Sequence, residues 1–279
     1  MTAQADRPAE ETSFDAVIVG AGFAGMYMLH CLRKLGLSAR VYETGGDVGG
    51  TWYWNRYPGA RCDIESMQYS YSFDAELDQE WRWTERYSPQ PEILAYANHV
   101  ADRFDLRRDI RFDTSVTAAT FDESTKRWTV QTDRGDKINA QFCIMAVGCL
   151  SAANTPPFEG MDDFAGPTYH TGHWPHEGVD FTGQRLGVIG TGSSAIQSIP
   201  VMAKQAKTLT VFQRTPNYSV PAWNGPMDPD LEREVKADYP GFRAKARARP
   251  TGFYFPFNID PALDSSPEER EQQYEEFWA

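Results

Sequence analysis

A chain of 279 residues sits at the upper limit for one domain and fits two better. Its 41% apolar and 13% aromatic content is ample for a core. A net charge of −12 and a pI near 4.9 argue against a nucleic acid or an anionic membrane as partner.

Met1 to Thr12 is polar and acidic, without the basic and apolar regions of a signal peptide, so residues 1–13 are expected to be a disordered arm. No apolar run approaches the roughly 18 residues of a membrane span. Cys31, Cys62, Cys143 and Cys149 show no CxxC spacing, which points to reduced thiols, small buried hydrophobes in a cytoplasmic protein.

Regular structure is expected from about Phe14. The apolar run Ala16-Val17-Ile18-Val19 leads into Gly20-Ala21-Gly22-Phe23-Ala24-Gly25, and Met26 to Leu35 reads as helix. The first glycine permits a tight turn and the second lets backbone approach a pyrophosphate. The third position must be small for helix and sheet to pack, and the helix N-terminus offers free N–H groups to phosphate. Ser38 to Tyr42 reads as the next strand, and Glu43 falls 18 residues past Gly25, where a carboxylate can accept from a ribose 2′-hydroxyl.

Gly45-Gly46-Asp47-Val48-Gly49-Gly50-Thr51-Trp52 is too glycine-rich for a regular element and points to close backbone approach to a bound group. From Trp52 to Trp83 aromatics crowd the chain, mostly as core, with Trp52 and Trp54 the residues expected to touch a flat ring. Within this stretch Asp63 is either a site carboxylate or a cap for a helix beginning at Ile64. Pro91 to Phe104 has the apolar spacing of an amphipathic helix. Ile110–Phe112, Val116–Phe121, Trp128–Gln131 and Phe142–Met145 are expected strands, a meander returning to the main sheet.

Phe164 to Pro175 is full of glycine and proline and is placed in a linker. His170, His173 and His176 follow no metal-binding spacing, so no metal site is assigned. The fingerprint then recurs. Leu186-Gly187-Val188-Ile189 leads into Gly190-Thr191-Gly192-Ser193-Ser194-Ala195, a helix is expected from Ile196 to Lys207, and Leu209 to Phe212 forms the next strand. Arg214 lies 19 residues past Ala195, and a guanidinium clamps a 2′-phosphate that a carboxylate would repel. The first copy therefore suits FAD and the second NADPH. Past Pro221 the chain turns irregular, and Ser266 with Glu269 forms a capping box opening a last helix.

The motif Phe164-x-Gly166-x-x-x-His170-x-x-x-Trp174-Pro175 resembles the fingerprint of type I Baeyer–Villiger monooxygenases. Gly49-Gly50-Thr51-Trp52-Tyr53-Trp54 and Tyr57-Pro58-Gly59-Ala60-Arg61-Cys62-Asp63 match that family as well, and the likeness runs from about Phe14 to Pro221, nearest the phenylacetone and steroid monooxygenase branch. Trp174-Pro175 separates the chain from related flavin monooxygenases. A glutathione-reductase-like protein would carry a redox cysteine pair after Thr51, where this chain has Trp52.

The resemblance implies an α/β fold of two Rossmann-like domains, FAD then NADP, each a parallel sheet flanked by helices, followed by the start of a helical insertion. The expected boundaries are 14–150 for the FAD domain, 151–225 for linker and NADP domain, and 226–279 for the helical part. It implies that NADPH reduces FAD, dioxygen adds at flavin C4a, and the peroxide converts a ketone to an ester or lactone in a dry site. Asp63, which orients an active-site arginine in that family, and His170, which couples the domains, are the implied catalytic-site residues. The implied FAD set is Gly20, Gly22, Ala24, Gly25, Glu43, Thr51, Trp52, Trp54, Arg61, Cys62, Asp63, Tyr69 and Val116. The implied NADP set is Gly190, Thr191, Gly192, Ser193, Ser194, Ala195, Gln197, Arg214 and Thr215.

Family members run to about twice this length, so the chain is expected to be the N-terminal part, inactive alone, with the partner arginine beyond residue 279. Two alternatives stay open: a nucleotide-binding fragment without oxygenase activity, and a flavin monooxygenase acting on nitrogen or sulfur.

Overall fold

The computed structural model describes residues 11–150, 152–217, 219, 221–254 and 263–278. It divides into two compact units, residues 1–57 with 93–179 and residues 58–92 with 180–279. The segment 58–92 thus groups with the second fingerprint, although it lies within the stretch 14–150 that the sequence reading treats as one domain.

The first unit is built on β1 (Glu11–Val19), α1 (Phe23–Lys34) and β2 (Ala39–Tyr42). β1 starts earlier than Phe14, so the arm ends before residue 11; the rest of the arm lies outside the described residues. The helix α2 (Thr51–Trp54) follows the glycine loop, and after α3 (Ala75–Glu80) and α4 (Gln90–Arg103) come β3 (Ile110–Arg111), β4 (Val116–Asp122), β5 (Arg127–Thr132) and β6 (Lys137–Met145). The sheet order is β3-β2-β1-β6-β5-β4. Strands β3, β2, β1 and β6 run parallel, while β5 and β4 add antiparallel to the β6 edge. The expected parallel sheet is present, and the meander extends it with two antiparallel strands at the β6 edge.

Strand β1 lies between two neighbours, and Ala16, Val17 and Ile18 have no exposed surface, as expected for a central parallel strand covered on both faces. α1 buries Gly25, Met26, Leu29 and Leu32, one face at helical spacing. Under the meander, Val17, Tyr42, Val130, Ile138 and Ala140 form a core cluster against which Phe14, Val116, Trp128 and Cys143 pack.

The second unit contains a two-stranded parallel sheet of β7 (Arg185–Ile189) and β8 (Thr208–Phe212), joined by α5 (Ser193–Ala203). It continues into α6 (Pro229–Ala237), α7 (Tyr239–Arg247) and α8 (Pro267–Trp278). The guanidinium of Arg243 on α7 grips Asp78 through both carboxylate oxygens at 2.6 and 2.7 Å and also donates to the Tyr71 carbonyl at 2.6 Å. Both side chains are largely buried and Arg243 lies over the Tyr239 ring, so the charge is paired and hydrogen-bonded as burial requires. At α8 the capping box forms as read: Glu269 N donates to Ser266 Oγ, and Ser266 N donates to Glu269 Oε2.

Candidate functional site: two nucleotide cradles and a capped linker

The two fingerprints share the backbone conformation of their first two glycines. Gly20 and Gly190 have φ of +101° and +105°. Gly22 and Gly192, the N-caps of α1 and α5, have φ/ψ of −74°/−172° and −73°/−178°. Neither helix receives a side-chain cap, and neither has an acid in its first turn. Each therefore begins at a glycine that offers its first-turn N–H groups no capping oxygen, a donor arrangement that suits an anion.

In the first cradle packing dictates the glycines. A methyl group at Gly25 would overlap the Gly20 carbonyl oxygen, and one at Gly20 would lie 2.7 Å from the Ala146 carbonyl. Glycine loop 45–50 crosses the turn: a methyl on Gly50 would meet Gly22 Cα at 2.8 Å, and Gly49 N donates to the Ala21 carbonyl at 3.1 Å. Glu43 joins the two loops. Its buried carboxylate accepts from Ala21 N at 2.6 Å and from Gly45 N at 2.7 Å. Sequence reasoning assigned Glu43 to a ribose and missed this clamp, although Gly45 two residues on was the available signal. A carboxylate has about four lone-pair sites, so the clamp leaves capacity for a further donor.

Ala24 is exposed in the first turn of α1, and Thr51 opens α2. Of the two indoles expected to face a ring, Trp52 is buried and Trp54 is 37% exposed. Val116 packs on the core cluster at a register shift in β4.

In the second cradle strand register corrects the comparison of the two ends. Gly20 N donates to the Tyr42 carbonyl and Gly190 N to the Phe212 carbonyl, so Tyr42 and Phe212 are equivalent. The counterpart of Glu43 is then Gln213, and Arg214 lies one residue beyond. Gln213 Nε2 donates to Thr191 Oγ1 at 2.9 Å, and Asn217 Nδ2 donates to Thr191 O at 2.8 Å and Oγ1 at 3.0 Å. Where the first cradle has a carboxylate the second has neutral amides. Arg214 and Thr215 are exposed, and among the described residues Arg214 makes no ion pair.

Segment 58–63 lies against α5. A methyl on Gly59, whose φ is +79°, would overlap the Gln197 carbonyl. Gln197 Nε2 donates to Asp63 Oδ1 at 2.7 Å and to the Arg61 carbonyl at 3.1 Å, while its Oε1 accepts from Arg61 N at 3.3 Å. No helix begins at Ile64, so the capping reading of Asp63 falls. The Arg61 guanidinium pairs with Glu85 at 3.2 Å. Cys62 is buried, and burial pushes its thiol up to about 11, which keeps it neutral and unreactive. Tyr69 N donates to the Glu65 and Ser66 carbonyls in the turn beyond.

In the linker, Phe164 folds its ring onto Gly166, where a methyl would come within 2.7 Å of it. His170 Nδ1 accepts from Gly172 N at 3.1 Å and caps the 3-10 turn Thr171–His173, an arrangement that needs Nδ1 free of a proton. Trp174 is buried with its ring centroid 5.7 Å from that of Tyr169. His176 stands apart from His170 and His173, edge-on to Tyr53 at 5.3 Å and 6.0 Å from Trp54. Desolvation among these rings, and then the Arg56 cation, hold its imidazole below the usual range.

A family model described as pyridine nucleotide-disulphide oxidoreductase matches residues 17–239. The chain belongs to this family. All four cysteines are free, and only Cys62 is buried while Cys149 is exposed, contrary to the expectation that all were buried. A Baeyer–Villiger monooxygenase of Pseudooceanicola batsensis is 50% identical over 95% of this chain and 49% of its own length. The solved structure of an oxidised steroid monooxygenase bound to NADP superposes with a TM-score of 0.89 at 59% identity, covering 96% of this chain and 51% of that one. A phenazine N-monooxygenase of Lysobacter antibioticus is 42% identical over 96% of this chain and 50% of its own. The chain thus spans about half the length of the curated relatives it matches. No helix among the described residues is long and apolar enough to cross a membrane.

Proposed function

We propose that this chain carries the nucleotide-binding part of an FAD- and NADPH-dependent Baeyer–Villiger monooxygenase, which converts a ketone and O2 to an ester or lactone in the cytoplasm. The observation that carries the reading is the pair of superposable cradles with opposite strand-end chemistry, buried Glu43 in one and Gln213 with Arg214 in the other. Residues 14–150 are assigned to the FAD domain, 151–225 to linker and NADP domain, and 226–279 to a helical part.

The residues fit both coenzymes. The uncapped start of α1 with Gly20, Gly22, Ala24 and Gly25 suits a pyrophosphate, and Glu43 retains acceptor capacity for a ribose. Thr51, Trp52, Trp54 and Val116 complete the FAD assignment, to which Arg61, Cys62, Asp63 and Tyr69 belong by the same motif matching. Gly190 to Ala195 suit the second pyrophosphate, with Arg214 and Thr215 for a 2′-phosphate. Bound FAD, once reduced by NADPH, supplies the two-electron activation of O2. The chain's own share is to hold the nucleotides, to present the Asp63 carboxylate, and through the His170-capped linker to couple the nucleotide halves.

The test is to express the full reading frame and record flavin absorbance, NADPH oxidation and ester formation with a panel of ketones. A yellow protein that consumes NADPH and forms ester is expected; failure with every ketone overturns the reading. Similarity to a phenazine N-monooxygenase favours oxygen transfer to nitrogen as the second reading. N-oxide formed from an aromatic amine, with ketones untouched, would decide for it.

A further inference from the structure

We propose that Gln197 is a positioning residue that ties the phosphate-binding helix α5 to the Asp63 carboxylate, so that nucleotide occupancy and the placement of Asp63 are energetically linked. The inference rests on the reading of α5 as the NADP cradle and of Asp63 as a site carboxylate.

The carboxamide is used in a particular way. Its Oε1 and Nε2 engage the N–H and the carbonyl of Arg61, much as a neighbouring strand would, and Nε2 also donates to Asp63 Oδ1 at 2.7 Å. An amide NH2 carries two hydrogens, so one group can serve both the Arg61 carbonyl and the Asp63 carboxylate. A bond to a carboxylate is the stronger kind. Backbone contact reinforces the pairing: Gly59 lies so close to the Gln197 carbonyl that any side chain there would displace the loop from the helix. A second restraint acts from the other side, where Glu85 holds the Arg61 guanidinium and also accepts from Asn224 Nδ2 at 2.6 Å. The loop that ends at Asp63 is therefore fixed to α5 at several points.

Gln197 sits four residues beyond Ser193, the first residue of α5. At 1.5 Å per residue this is about 6 Å along the axis from the N–H groups that would receive a pyrophosphate. Gln197 lies on the N-terminal side of Pro200, within the first turns of α5, so a shift of the N-terminus onto an anion displaces Gln197 and, through it, Asp63. Linkage is reciprocal: if the nucleotide biases Asp63, removing Asp63 must change nucleotide affinity by the same coupling.

The experiment is a double-mutant cycle on NADP+ affinity in the full-length protein, with Asp63→Ala, Gln197→Met and the double variant, each checked for fold by its melting temperature. Each single change is expected to weaken NADP+ by about fivefold or more, with the double variant no weaker than the single ones. Additive losses, or an unchanged affinity in Gln197→Met, overturn the linkage. Should Gln197→Met not fold, Gln197→Glu takes its place, since it keeps an acceptor for Arg61 N and sets like charge against Asp63, and the same two outcomes decide. Binding is read without turnover. A protein with the expected coupling but no ester product overturns the Baeyer–Villiger reading and supports the linkage; a protein that binds no NADP+ overturns both.

Discussion

The two fingerprints share the backbone of their first two glycines for different local reasons, and the contrast separates what glycine does for folding from what it does for a ligand. In the first, Gly20, Gly25 and Gly50 are required by atoms of the protein itself, Ala146, the Gly20 carbonyl and Gly22. In the second, methyl groups built at Gly190 and Gly192 meet nothing within 4 Å among the described residues, and the third position is already alanine. The first cradle is thus locked by packing and by the Glu43 clamp. The second is shaped by backbone conformation and by two amides on Thr191.

The largest expected effect follows from this difference. Gly25→Ala drives a methyl into the Gly20 carbonyl, an overlap between backbone atoms that no rotamer change relieves, and is expected to cost more than about 3 kcal/mol. Thermal unfolding should show a destabilised protein that loses flavin. A variant that melts with the wild type would remove the packing argument for the first cradle.

Next comes the charge contrast. Arg214→Ala is expected to reduce the preference for NADPH over NADH by about 10- to 100-fold, the range of a hydrogen bond to a charged group. Flavin content should not change. An unaltered ratio of kcat/KM for the two nucleotides would detach the strand-end chemistry from coenzyme choice.

Gly192→Ala tests the second cradle directly. Its φ of −73° is available to any residue and the space is open, so stability is expected to stay within about 0.5 kcal/mol of the wild type. A methyl group where backbone would approach the pyrophosphate is nevertheless expected to weaken NADP+ by about tenfold. Lost stability with unchanged affinity would reverse the assignment of that glycine from ligand to fold.

Local patterns were legible in the residues. The apolar spacing of Pro91 to Phe104 gave α4 to within one residue at each end, and Ser266 with Glu269 announced the start of α8. β6 was read from Phe142 only, because Lys137 to Gln141 alternates around Ala140 and Asn139, weak strand formers whose pairing is supplied by β1 and β5. What stayed hidden depends on register or on distant partners. Glu43 and Arg214 lie 18 and 19 residues past the third fingerprint position, and the equivalence of Tyr42 and Phe212 makes Gln213 the counterpart of Glu43. Gln197 was assigned to the nucleotide alone, since nothing local connects it to a carboxylate 134 positions away.

The smallest effect concerns the Gln213 position and is the most discriminating. If Gln213 and Asn217 hold Thr191 in place of the acid that holds Ala21, then Thr191→Val should matter only to the second nucleotide. Valine keeps the branched shape and removes Oγ1, so Gln213 loses its acceptor there while Asn217 keeps the Thr191 carbonyl. One neutral hydrogen bond near solvent is worth about 1 kcal/mol, or roughly a fivefold change in NADP+ affinity. Thr191→Ser retains the hydroxyl and should recover most of it. Flavin affinity should not move, because the Ala21 turn is held by Glu43 and loop 45–50 and not by Thr191. If Thr191→Val bound NADP+ as tightly as the parent, the amides would be bystanders, and Arg214 with the uncapped end of α5 would have to account for nucleotide binding by themselves.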